Sequence, residues 1–197
     1  MKRFVSLLGL SASLLLASAI PIAAAIVIIT FDDMPPQPAN GLHHPLGVTF
    51  GFTVAGAPST DATYAGSGPG QICFVQDPSL EGNAAGTLTL DFDVPTTSLQ
   101  LGVALATLDS LPVGATVEVF DAEGTSLGAF DVPTAPCVSF TEGQFNYPGP
   151  DPVSRATITF FSGAGRFAVD NLTFDNGSAM APRAHRASTP AAAGWNK

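Results

Sequence analysis

An acid–acid pair, Asp32-Asp33, and an acid–amide pair, Asp170-Asn171, stand near opposite ends of the chain. Carboxylate and amide oxygens are the donors that a hard cation such as Ca²⁺ gathers, about six to eight at a time. The four residues are therefore candidate ligands of one shared ion, provided that the fold brings the chain ends together. Their spacing is not that of an EF-hand loop. The alternative is that Asp33 opens a turn and that Asp170-Asn171 caps a β-bulge without any ion.

Other residue types point to weaker chemistry. Sugar recognition uses rings that stack on pyranose faces beside polar groups. Tyr64, Phe145 and Tyr147 are the aromatics in candidate loops, and Phe145-Asn146-Tyr147 is the favoured ligand-facing spot. Asp91 and Asp93 sit two apart on one strand, about 6–7 Å from each other, near the separation of paired glycosidase carboxylates. They alternate with Leu90 and Phe92, so solvent-facing charges are the reading adopted for them. His43-His44, in a Pro-flanked loop, could bind a transition metal or act as a base, but no Cys or Glu accompanies them at ligand spacing and a solvated loop is the reading adopted. No Gly-x-Ser-x-Gly nucleophile motif occurs. The expectation is a protein that is not an enzyme.

The elements that must position these residues are strands. Val48, Phe50, Phe52 and Val54 alternate with smaller or polar residues, as do Leu88, Leu90, Phe92 and Val94, and Leu99, Leu101, Val103 and Leu105. Further strands are expected at 71–75, 115–121, 126–132, 137–141, 155–161 and 166–174, about ten in all, which predicts a two-sheet antiparallel β-sandwich. Ala122-Glu123-Gly124-Thr125 reads as a type I turn followed by a left-handed glycine bulge. The last strand carries the sharpest local information. Phe167 and Val169 share one parity, Leu172 and Phe174 the other, so one residue must be inserted, most simply as a bulge at Asp170-Asn171. The longer connections 34–45, 55–70, 77–86 and 142–154 are expected to cross the sandwich ends.

Residues 1–25 read as a signal peptide, with Lys2 and Arg3 ahead of an uncharged stretch and small residues before Ile26. A retained membrane anchor is the competing reading of the same stretch. The chain is then expected to be secreted, with one sandwich domain over 26–174 and a disordered Ala, Ser, Thr and Pro-rich tail over 175–197. Between Ile26 and Phe174, fifteen acids face two arginines. Such a field repels phosphate backbones and anionic membranes, which argues against nucleic-acid partners. In an oxidising compartment Cys73 and Cys137, the two cysteines of the chain, are expected to pair, closing a loop worth about 4 kcal/mol in chain entropy. Two buried free thiols are the alternative.

Ile29-Thr30-Phe31-Asp32-Asp33, Val119-Phe120-Asp121-Ala122-Glu123-Gly124 and Phe167-Ala168-Val169-Asp170-Asn171-Leu172 together resemble secreted jelly-roll domains. The likeness is to the galactose-binding and carbohydrate-binding-module type, including bacterial surface proteins with sorting tails. It spans about 26–174 and implies a jelly roll holding a structural calcium on an acid near the first strand, Asp32 or Asp33, and on Asp170. It also implies a non-catalytic module whose first candidate ligand is an extracellular carbohydrate. The Pro-Glu-Pro sorting signal and hydrophobic anchor of the surface-protein group do not occur in the sequence. A structural or matrix protein without a small ligand is the alternative.

Overall fold

The computed structural model describes residues 25–70 and 73–176. The first part of the chain forms β1 (Ile26–Ile29), β2 (Gln37–Pro38), β3 (His43–His44), β4 (Val48–Val54), β5 (Ala57–Pro58), β6 (Ala62–Gly66) and β7 (Ser79–Asn83). Longer strands follow: β8 (Gly86–Thr96), β9 (Leu99–Leu105), β10 (Leu111–Phe120), β11 (Ser126–Cys137), β12 (Phe140–Asn146), β13 (Val153–Phe160) and β14 (Arg166–Asp175). One 3-10 turn, Ser162–Ala164, precedes the last strand.

All pairings are antiparallel, and the strands form one curled sheet in the order β2-β6-β7-β14-β9-β12-β11-β10-β13-β8-β4-β3, with β1 beside β14 and β5 beside β4. The long β11 turns the corner. Its Ser126–Thr134 portion pairs with β10, whereas Ala135–Cys137 pairs with β12. The two halves on either side of that corner face each other. Phe167 of β14 stacks on Phe160 of β13 at 3.8 Å and meets Phe52 of β4 at 5.8 Å, and Phe174 of β14 meets Phe92 of β8 at 5.1 Å. Inward positions of the long strands are mostly apolar and closed to solvent, as alternation requires of a half-buried sheet, with Thr96, Thr134 and Thr141 as buried polar members.

The observed sandwich has fourteen strands where the sequence pattern predicts about ten. Five strands, β2, β3, β5, β6 and β7, fall inside stretches expected to be connections. Ala-Thr-Tyr-Ala-Gly and Ser-Leu-Glu-Gly-Asn carry little β propensity, and pairing with neighbours overrides it. Conversely, Cys73–Val75 is not a strand, because its amides point to a side chain instead of a ladder. The predicted 137–141 strand is a corner between β11 and β12, turned at Val138 with φ 60°. β14 runs to Asp175, one residue past the predicted domain limit, where the Asp175 carboxylate accepts hydrogen bonds from the Thr97 amide and hydroxyl at 3.1 and 2.7 Å. The leader expected over 1–25 lies outside the described residues except for Ala25, and the tail lies outside them beyond Asn176. The β10–β11 hairpin forms as predicted, with Gly124 at φ 79° and a register shift after Val119.

Candidate functional site: an acidic cleft between the chain ends

The inserted residue in β14 organises the site. Asp170 pairs with Gly102 of β9 and Thr173 pairs with Gln100, so three steps on β14 match two on β9. Asn171 adopts φ 53°, a left-handed conformation that Asn tolerates better than most residues. The bulge returns Leu172 and Phe174 to the core face already occupied by Phe167 and Val169.

It also falls where β14 changes partners. Residues 166–169 pair with β7, and residues 172–175 pair with β1. Between the end of β1 and the start of β7 no strand covers the bulge, which leaves an open cleft of about 160 Å³. Thr30 and Asp32 line it from the chain leaving β1, Gln76, Asp77 and Pro78 from the chain entering β7, and Asp170 and Asn171 from the bulge. The expectation that first and last strands are neighbours and carry acids to one place therefore holds for Asp32, Asp170 and Asn171.

Asp170 is 2% exposed, with Oδ2 accepting the Gln76 amide at 2.9 Å and Oδ1 accepting the Asn171 amide at 2.6 Å. Burial pushes its carboxyl up to about 6, the negative charges of Asp32 and Asp77 add to the rise, and the two amides oppose it. The Asn171 amide group donates to the Phe74 carbonyl at 3.0 Å, and Thr30 donates its hydroxyl to Asp32 at 2.7 Å. Carboxylate, amide and hydroxyl oxygens without sulfur or imidazole are the donor set of a hard cation. Asp32, Asp77 and Asp170 do not all close to within 4.8 Å of one another, so coordination there would also draw on amide, hydroxyl or solvent oxygens.

Asp33 belongs elsewhere, which corrects its placement beside Asp170. Phe31, at φ 58°, turns the chain so that Asp32 and Asp33 point to different neighbours. Asp33 Oδ1 accepts the Tyr64 hydroxyl at 2.6 Å, and Oδ2 lies 2.8 Å from His44 Nε2. The Leu46 amide donates to His44 Nδ1 at 3.2 Å, so the proton sits on Nε2 and is donated to Asp33. Burial disfavours the Asp33 carboxylate, but these hydrogen bonds outweigh it and hold the group below its usual range. Burial first, then Asp33, raises the Tyr64 phenol above its ordinary range. The cluster fastens β3 and β6 to the segment after β1.

A second buried carboxylate, absent from the sequence reading, supports the cleft from behind. Glu142 of β12 is 3% exposed, and its Oε2 accepts the amides of Cys73, Phe74 and Val75 at 3.2, 2.6 and 3.1 Å. The strap running from Cys73 to Asp77 is thus pinned across the outer face of β12, β9 and β14. Val75 packs there on Ala104 and Ala168. A Cβ on Gly102 would lie 2.1 Å from the Phe74 carbonyl, so only glycine lets the strap come this close. The Cys73–Cys137 disulfide ties the same strap to the end of β11, as the compartment argument expected. Asp77, which the strap carries into the cleft, was equally invisible in sequence.

Of the three rings proposed for ligand stacking, two are closed to solvent and the third is only partly open to it. Tyr64 is fully buried against Phe31 and Phe50, and Phe145 is 3% exposed. Tyr147 is half-buried, with Phe130 edge-on at 5.9 Å. Burial of an aromatic ring outweighs what its flanking polar residues imply about a loop. His43 and Asp93 are exposed, and Asp91 is engaged by Arg155.

No family model and no curated protein matches the chain. Among solved structures it is similar to a family 29 carbohydrate-binding module from Piromyces equi, at 15% identity over 80% of this chain and 94% of that one, with a TM-score of 0.43. A second structure described as a family 29 module gives 15% identity, 79% and 91% coverage and a TM-score of 0.42. A variant module of the same family, complexed with mannohexaose, gives 15%, 79% and 94%, and 0.42. Likeness of this depth carries no statement about ligand or site, and the β-sandwich assignment rests on the strand register and ring contacts described above.

Proposed function

We propose that this chain is a secreted, non-catalytic binding module of jelly-roll type, that its acidic cleft holds a structural calcium, and that its ligand class is extracellular carbohydrate. One observation carries the calcium reading: Asp32, Asp77 and Asp170, with the amides of Gln76 and Asn171, line a single cleft where β1 gives way to β7 along β14. A cation there would lie between the segment after the first strand, the strap and the last strand, joining three parts of the fold. The carbohydrate reading rests on the resemblance of the three sequence segments to secreted jelly-roll modules. Packing of Tyr64, Phe145 and Tyr147 favours the second reading, a structural extracellular protein with no small ligand.

Thermal unfolding before and after exhaustive chelation tests the calcium. Loss of a ligand that binds only the native state lowers the midpoint by several degrees. An unchanged midpoint removes the calcium from the account.

A further inference from the structure

The outward face of the half-sheet opposite the acidic cleft carries an arrangement that neither the calcium nor the core requires. Strand register places Thr49 of β4, Asp91 of β8, Arg155 of β13 and Phe120 of β10 in one row across neighbouring strands. The inward neighbours Val119, Ala156, Leu90 and Phe50 are buried, so this row points away from the core. Phe120 is the aromatic member of an otherwise polar row. At its end the β10–β11 turn and Ser154 build walls, and a cleft of about 320 Å³ results, at the lower end of the roughly 300–1,000 Å³ range of ligand pockets.

The lining is suited to hydroxyl-rich ligands. Arg155 donates Nε to Asp91, and its two terminal nitrogens have no hydrogen-bond partner among the described residues. The Ser154 hydroxyl oxygen is buried and likewise has no partner among the described residues. A half-buried phenylalanine thus lies beside a guanidinium with spare donors, a carboxylate with spare acceptor capacity and the Thr157 hydroxyl. Pyranose rings present apolar C–H faces to an aromatic ring and vicinal hydroxyls to such a fork. Fifteen acids to two arginines over 26–174 favour a neutral sugar over a polyanionic one.

We propose that this cleft, with Phe120 as the stacking platform and Arg155–Asp91 as the hydrogen-bonding fork, is the binding site for a neutral carbohydrate. The inference rests on the carbohydrate reading above and moves its site from Tyr64, Phe145 and Tyr147 to the opposite half-sheet.

An array of neutral and acidic oligosaccharides, probed with the calcium-loaded protein and its Phe120→Ala, Arg155→Ala and Phe161→Ala variants, tests it. Phe161 is an exposed ring outside the cleft and serves as the control. The wild type is expected to bind neutral glycans, Phe120→Ala and Arg155→Ala to lose at least tenfold in affinity, and Phe161→Ala to be unchanged. Backbone chemical shifts of the wild type, titrated with the best array ligand, should move at Phe120, Arg155 and Thr157, which guards against a variant that folds poorly. A glycan that binds the cleft variants as well as the wild type, with shifts elsewhere, overturns this site and leaves the carbohydrate reading standing. A blank array with folded wild type overturns both.

Discussion

Truncating Glu142 to alanine removes the acceptor of three backbone amides at once, those of Cys73, Phe74 and Val75. A buried donor left unsatisfied costs about 1–3 kcal/mol. The Val75 hydrogen bond is buried and bears that cost fully, whereas the other two are only part-buried and water can replace the carboxylate in part. The structure thus implies a loss of about 2–4 kcal/mol, below the threefold sum of isolated amides. For a domain of this size that corresponds to a midpoint lowered by roughly 5–15 °C. Glu142→Gln keeps an acceptor oxygen but not its charge and should cost about half as much. Because the strap also delivers Gln76 and Asp77 to the acidic cleft, calcium affinity should fall in Glu142→Ala although Glu142 does not line the cleft. Calorimetry measures the first effect, and amide exchange at Cys73, Phe74 and Val75 localises it. Exchange rates at these amides equal to wild type, with a midpoint shifted by less than a degree, would refute the reasoning.

Two further outcomes follow from the same geometry. In the metal-free protein the raised Asp170 carboxyl stabilises the fold fully below pH about 4, and this contribution, at most about 3 kcal/mol, is lost as pH rises through about 6. Urea unfolding in chelator should therefore weaken between pH 4.5 and 7 in the wild type and much less in Asp170→Asn; equal slopes for the two would contradict the assignment. Reducing Cys73–Cys137, whose partners are 64 residues apart, should cost about 4 kcal/mol by chain entropy, read as a lower urea midpoint, and an unshifted midpoint would count against that role.

Much of the architecture was legible because it follows from strict periodicity. The parity change between Val169 and Leu172 demanded an inserted residue, and the bulge at Asp170-Asn171 is where the core face requires it. Short strands escaped notice because Ala62–Gly66 and Ser79–Asn83 gain their conformation from neighbours and not from their own residues. The site was half legible for a related reason. Asp32 and Asp170 were found through strand ends, but whether Asp33 joined them depended on where Phe31 turns the chain and on Tyr64 and His44 being buried nearby. Glu142 and Asp77 sit in Thr-Glu-Gly and Gln-Asp-Pro stretches that look like ordinary surface turns. Their roles arise from a strap crossing three strands, a tertiary relationship with no local signature. Phe120 lay in a predicted strand, and its outward direction becomes visible only once Val117 and Val119 are known to face the core.

That a calcium joins the ends of the chain is the central proposal, and its most direct test is a calorimetric titration of metal-stripped protein with Ca²⁺ at pH 7, alongside Asp32→Asn and Asp170→Asn. One site per chain is predicted, weakened at least tenfold by either substitution, while Asp33→Asn leaves it within about twofold because that carboxylate serves Tyr64 and His44. No heat of binding in the wild type, or binding that Asp170→Asn retains in full, would contradict the account.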